Sequence, residues 1–134
     1  MLILGHDAEL IEWSRRHGFR ECGPATTIGF ARDGKIVGVA LFFNYRHPDI
    51  EWGVISTSRK WATKSHFQAI AHYVYGQLQC RRLTAEVDAS DSKLCALMER
   101  IGFQREGTKR QATDHGDSAI YGLLKSECRW YEEP

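Results

Sequence analysis

Apolar residues recur at two different spacings along this chain, and the switches between them divide it into elements. Met1 to Gly5 reads as a short strand, followed by an amphipathic helix from His6 to Arg16 with Leu10, Ile11 and Trp13 on one side and Gly18 as its stop. Ala25 to Arg32 and Lys35 to Tyr45 are rich in β-branched and aromatic residues and flank Asp33-Gly34, the pair that a two-residue hairpin turn favours. Asn44 to Pro48 interrupts the pattern. Ile50 to Ser56 resumes it as a strand that sends Glu51, Gly53 and Ile55 to one face and Trp52 and Val54 to the other. From Ala62 to Leu78 the spacing of Phe67, Ile70, Ala71, Val74 and Leu78 predicts a helix, with Lys64, Gln68 and His72 turned outward.

Arg82 to Val87 is predicted as a strand, Asp88 to Asp91 as a turn with a capping carboxylate, and Leu94, Leu97, Met98 and Ile101 as the apolar stripe of a helix that ends at Gly102. Phe103 to Arg110 and Ser118 to Lys125 flank a polar segment and are expected to pair antiparallel. The resulting order is β, α, β, β, β, α, β, α, β, β. It specifies a mixed α/β sheet and excludes a helix bundle or a sandwich. No repeat or linker breaks the chain, so residues 1–134 are read as a single domain.

Composition narrows the function classes. With 18 basic and 17 acidic side chains, the formal charge of +1 creates no whole-molecule field to recruit nucleic acid or an anionic membrane, so an anion site must be local. Cys22, Cys80, Cys95 and Cys128 form no CxxC pair, which argues against a zinc cluster or dithiol motif, and no metal is expected. The opening MLILGHDAEL carries charge too early for a secretory leader, and no apolar run approaches the roughly 20 residues of a membrane span. A cytoplasmic protein with reduced cysteines is the expectation. The terminal segment with Cys128, Trp130 and Tyr131 offers a strand through which a second copy would pair.

The DGKIVG turn, the DIEWGV strand, the RRLTAEVDASD strand and turn, and the ALMERIGFQREG helix exit, taken in that order, resemble the GNAT superfamily of N-acetyltransferases. The nearest flavour is the ribosomal-protein acetyltransferase branch, with similarity also to small GNAT-like proteins of phages and prophages. The resemblance covers nearly the whole chain, the first 25 residues matching weakly. It implies a twisted, mostly antiparallel mixed sheet flanked by helices, with central strands that splay. Acetyl-CoA would enter that V as the cosubstrate and an amine would attack it directly.

In these terms the main chain of Gly53, Val54 and Ile55 would hold the pantetheine arm, and the segment Ser58, Arg59, Lys60, Trp61, Ala62, Thr63, Lys64 would meet the pyrophosphate at a helix start. The family pattern there is Arg or Gln, two residues, Gly, one residue, then Gly or Ala, and this chain lacks both glycines. Arg59, Lys60 and Lys64 would pair with phosphate oxygens, or else form a solvated helix start. Trp61 would stack on a ligand or demand a differently shaped loop. Glu51 matches the family's water-relayed base, its alternative being a strand glutamate paired with arginine.

The family's thiolate-protonating tyrosine is replaced by Met98, leaving Tyr121 as the substitute acid. Asp91 would contact the pantetheine, cap a helix, or do both. His47 and His66 have no metal-ligand spacing. Three functions follow: an N-acetyltransferase acting on a small-molecule or protein amine, a GNAT fold kept for binding after losing catalysis, and a phage-type nucleobase-modifying transferase, against which the charge balance speaks.

Overall fold

The computed structural model describes residues 1–20 and 22–134. A seven-stranded sheet runs in the order β1-β2-β3-β4-β5-β7-β6, built from β1 (Leu2–Ile3), β2 (Thr26–Arg32), β3 (Lys35–Arg46), β4 (Asp49–Ser56), β5 (Arg82–Asp88), β6 (Gln104–Thr113) and β7 (Gly116–Leu124). Helices α1 (Asp7–Arg16), α2 (Lys64–Ala71) and α3 (Ser92–Ile101) complete the order that the hydrophobic pattern predicts. β4 and β5 pair in parallel and every other neighbouring pair is antiparallel. Among the described residues no helix is long and apolar enough to cross a membrane.

The β2–β3 turn is the predicted Asp33-Gly34 pair, with φ of 52° and 75°, the double positive φ of a tight turn matched to strand twist. β3 is longer than its pattern indicates. It runs through Asn44 and Tyr45 to Arg46 with a register shift after Phe43, because a bulge absorbs the break in alternation. The last hairpin is tighter than predicted, with strands reaching Thr113 and resuming at Gly116, since polar residues on an exposed edge still pair through their main chain.

The sheet buries two layers. On one face α2 and α3 cover Phe42, Trp52, Leu83, Ala85, Val87, Tyr121 and Leu123. On the other, Leu10 of α1 packs over Val39 and Leu41. Asp7 docks that helix by accepting from the Thr27 main-chain N–H at 2.9 Å and its hydroxyl at 2.5 Å.

The predicted helix over Ala62 to Leu78 divides into pieces. A 3-10 turn at Arg59–Trp61 precedes α2, and a π-helical turn at His72–Gln77 follows it. The segment after the 3-10 turn at Lys125–Glu127 is not the strand expected to bind a second copy. It straps α2 to α3: the Trp130 indole donates to the Ile101 carbonyl at 2.8 Å and packs on Phe67, and the Tyr131 ring lies edge-on to Tyr75. Apolar side chains at Cys128, Trp130 and Tyr131 gain more from covering this interhelical groove than an exposed strand would leave them.

Candidate functional site

β4 and β5 are paired only from Asp49–Arg82 to Trp52–Ala85. Beyond that rung each keeps its outer neighbour, β4 with β3 as far as Ser56 and β5 with β7 as far as Asp88, while no ladder joins the two to each other. The sheet therefore opens into a V, and Gly53, Val54 and Ile55 form one lip of it. Among the described residues, no β5 rung is paired with this lip beyond Trp52–Ala85, so its inner edge faces the opening.

The head of the V is the loop into α2. Ser58 accepts from the Lys60 N–H at 3.1 Å, the Ala62 N–H reaches the Arg59 carbonyl at 3.1 Å, and the Thr63 N–H reaches the Trp61 carbonyl at 3.0 Å. The loop thus satisfies several of its own donors, while among the described residues the Ser58 and Arg59 amides have no acceptor. Thr63 caps α2 by accepting from the His66 N–H at 3.3 Å, and among the described residues the amides of Lys64 and Ser65 have no acceptor. Arg59, Lys60 and Lys64 are exposed around them.

Trp61 is not at the surface. Its side chain is 3% exposed, lies against Phe30 and edge-on to Phe67, and sits so near β3 that a Cβ at Gly38 would come within 2.9 Å of its own Cβ. Where the family pattern has glycine, this chain inserts an anchor that pins the loop to the sheet, so Trp61 does not serve as a ligand platform. His66 reinforces the anchor: its Nδ1 bonds the Trp61 carbonyl at 2.5 Å while its ring stacks on Phe30. Ala62 is likewise packed against the core.

Glu51 lies on the face turned away from α2 and α3. Its half-buried carboxylate accepts from the Asn44 amide at 3.1 Å and forms no ion pair among the described residues, so the arginine-paired alternative does not hold. Glu86 shares that face, being two residues beyond Thr84, the β5 partner of Glu51. It accepts from Ser118 at 2.8 Å and Lys109 at 3.2 Å. Glu86 was legible in the sequence, because the alternation of Leu83, Ala85 and Val87 with Arg82, Thr84 and Glu86 turns it to the face of Glu51. Phe19 was not legible there: its ring fills the space over Gly53, where a Cβ would come within 2.7 Å. Phe19 has no periodic neighbour to reveal it.

Tyr121 does not qualify as the acid. It is fully buried on β7, and its hydroxyl donates to Glu99 at 2.9 Å; burial first, then that carboxylate, pushes the phenol well above its ordinary range. A proton held that firmly is poorly released to a thiolate. Asp91 caps α3 by accepting from the Leu94 N–H at 3.0 Å.

No family model and no curated protein matches the chain. Solved structures do. A GNAT-family acetyltransferase from Bacillus anthracis superposes with a TM-score of 0.62 at 21% identity, over 75% of this chain and 67% of that one. A chimera of the spermidine N-acetyltransferase SpeG from Vibrio cholerae with hSSAT superposes with a TM-score of 0.66 at 19% identity, over 89% and 76%. The fold is that of the GNAT acetyltransferases. In this GNAT fold the splayed strands and the opening of α2 are retained. The loop between them is built around Trp61, with the unpaired Lys64 and Ser65 amides and the exposed Arg59, Lys60 and Lys64 side chains at its end.

Proposed function

We propose that this protein is an acetyl-CoA-dependent N-acetyltransferase in which an amine attacks the thioester directly. The observation that carries this reading is the parting of β4 from β5 beyond Trp52–Ala85, with the uncapped first-turn amides of α2 beside it. Acetyl-CoA would supply the activated acetyl group. Main-chain groups of Gly53 to Ile55 would hold its amide-bearing arm, and the Lys64 and Ser65 amides, with the side chains of Arg59, Lys60 and Lys64, would meet its phosphates.

Glu51 is the base, receiving the amine proton through water from the face opposite α2 and α3. Donor and acceptor thereby approach from opposite sides of the sheet. The Asn44 amide orients the carboxylate without neutralising it. One fold neighbour is named a spermidine N-acetyltransferase, and a small-molecule or protein amine is the proposed acceptor class, reaching Glu51 at the edge of the apolar cluster that α1 and Phe19 build on that face. The cytoplasm is the setting in which such a cosubstrate would be met.

A loop that satisfies several of its own donors favours one competing reading, a GNAT fold retained for binding alone. Calorimetric titration with acetyl-CoA separates the two. Specific binding is expected, weakened roughly tenfold or more in the Lys60→Ala, Lys64→Ala double variant through lost charge-assisted bonds and less dependent on salt there. No heat at millimolar acetyl-CoA would refute the transferase and leave the binding protein.

A further inference from the structure

The face of the sheet that carries Glu51 has an aromatic corner built beside the carboxylate. Phe43 is the β3 partner of Glu51 in the antiparallel register, so the two side chains are direct neighbours on that face. Two residues on, Gly53 lies under Phe19: a Cβ there would stand 2.7 Å from the Phe19 ring and 3.8 Å from the Phe43 ring. The two rings meet edge to face, with centroids 6.5 Å apart. Only glycine lets them close over this lip of the V. The end of α1 fixes Phe19, whose N–H donates to the Ser14 carbonyl at 3.0 Å after Gly18 turns the chain at a φ of 94°. Both rings are half-buried, so each keeps some surface open to a ligand.

Charge on the same face is almost fully used within the chain. Asp49 accepts from Thr84 at 2.7 Å and stands 3.7 Å from Arg82. Both terminal nitrogens of Arg82 bond Glu106 above Gly122, the β7 partner of Thr84. Glu86 accepts from Lys109 and Ser118, and Asp88, farther along β5, accepts from Ser90 and His115. Among the described residues, Glu51 is the carboxylate of this group with no cationic side chain beside it. The Asn44 amide engages one of its oxygens, at 3.1 Å, and leaves the other open.

Resting on the transferase reading above, we infer that the acceptor is a monoamine carried on an apolar carbon skeleton, and that Phe19 and Phe43 select it. One unpaired carboxylate matches one amino group. The carbons beyond that group lie against the two rings, where contact takes apolar surface out of water. A polyamine fits poorly, because each further ammonium group would lose water beside rings and beside carboxylates that already hold partners. The chemistry balances as in direct transfer: the neutral amine forms the N–C bond, the C–S bond breaks with its electron pair left on sulfur, and the amine proton passes through water to Glu51.

The test follows coenzyme A release with a thiol reagent across the straight-chain amines from propylamine to hexylamine, whose basicities are nearly equal. The terminal diamine of the hexyl chain and spermidine serve as the more highly charged counterparts. The value of kcat/KM for the amine is expected to climb roughly fourfold with each methylene, and to fall roughly tenfold or more from hexylamine to its diamine. Phe19→Ala, with its fold checked by melting, is expected to flatten the dependence on chain length. The series in the parent protein needs no variant, so it decides even where Phe19→Ala does not fold. A series that is flat or silent, a diamine or spermidine that outdoes hexylamine, or a full slope in folded Phe19→Ala would each overturn the acceptor assignment alone. Absence of calorimetric binding by acetyl-CoA would instead defeat the transferase reading, and this inference with it.

Discussion

Replacing Trp61 with alanine separates a core anchor from a ligand platform. The side chain is 3% exposed between Phe30, Phe67 and the Gly38 backbone. A buried tryptophan removes roughly 150–250 Å² from water, and at about 25 cal/mol/Å² that is worth about 4–6 kcal/mol. Measured aromatic-to-alanine changes of about 3–5 kcal/mol agree, the difference reflecting how far a site collapses. Total stability for a domain of this kind is about 5–15 kcal/mol, so the loss is a large share of it. Urea unfolding followed by circular dichroism should show a midpoint displaced accordingly, and the melting temperature should fall by on the order of 10 °C or more. Restoring the family's glycine at this position should be worse still. A loss below about 1 kcal/mol, combined with a collapse of acetyl-CoA affinity, would refute the anchor and return Trp61 to the ligand site.

Three further outcomes are expected. Glu51→Gln should lower kcat about a hundredfold while leaving acetyl-CoA affinity nearly intact, and an effect mainly on affinity would remove Glu51 from the base role. Asp91→Ala should destabilise the protein by about 1 kcal/mol through loss of the α3 cap; a much larger fall in acetyl-CoA affinity would show that the carboxylate also contacts the ligand. Arg82 bonds Glu106 through both terminal nitrogens, which holds the Glu106 carboxyl below its usual range. Because the folded value is the lower one, the stabilisation is present above the ordinary carboxylate pKa of about 4.3 and disappears as pH falls through the depressed value. Glu106→Gln should therefore melt below the parent at pH 6, and the gap should close as pH falls through the depressed value; a gap constant with pH would contradict the linkage.

Sequence alone determined the order of elements, because alternation and helical spacing report which face of each segment is buried, and burial dominates local choice. It also determined the Asp33-Gly34 turn, whose backbone demands are local, and the cap at Asp91, whose oxygen serves the amide three residues on. The general place of the V was implied by the family resemblance, and the pairing of β4 with β5 ends where that resemblance led one to expect.

Other features were decided only in three dimensions. Trp61 beside exposed cations reads as surface until Phe30, Phe67 and Gly38 close around it from other elements. Tyr121 and Glu99 are far apart in the chain and meet only when α3 packs on β7. The terminal residues look like a free strand until the groove between α2 and α3 exists to receive Trp130. Local spacing encodes which side chains turn inward; what each of them meets there is a non-local fact, settled by tertiary packing.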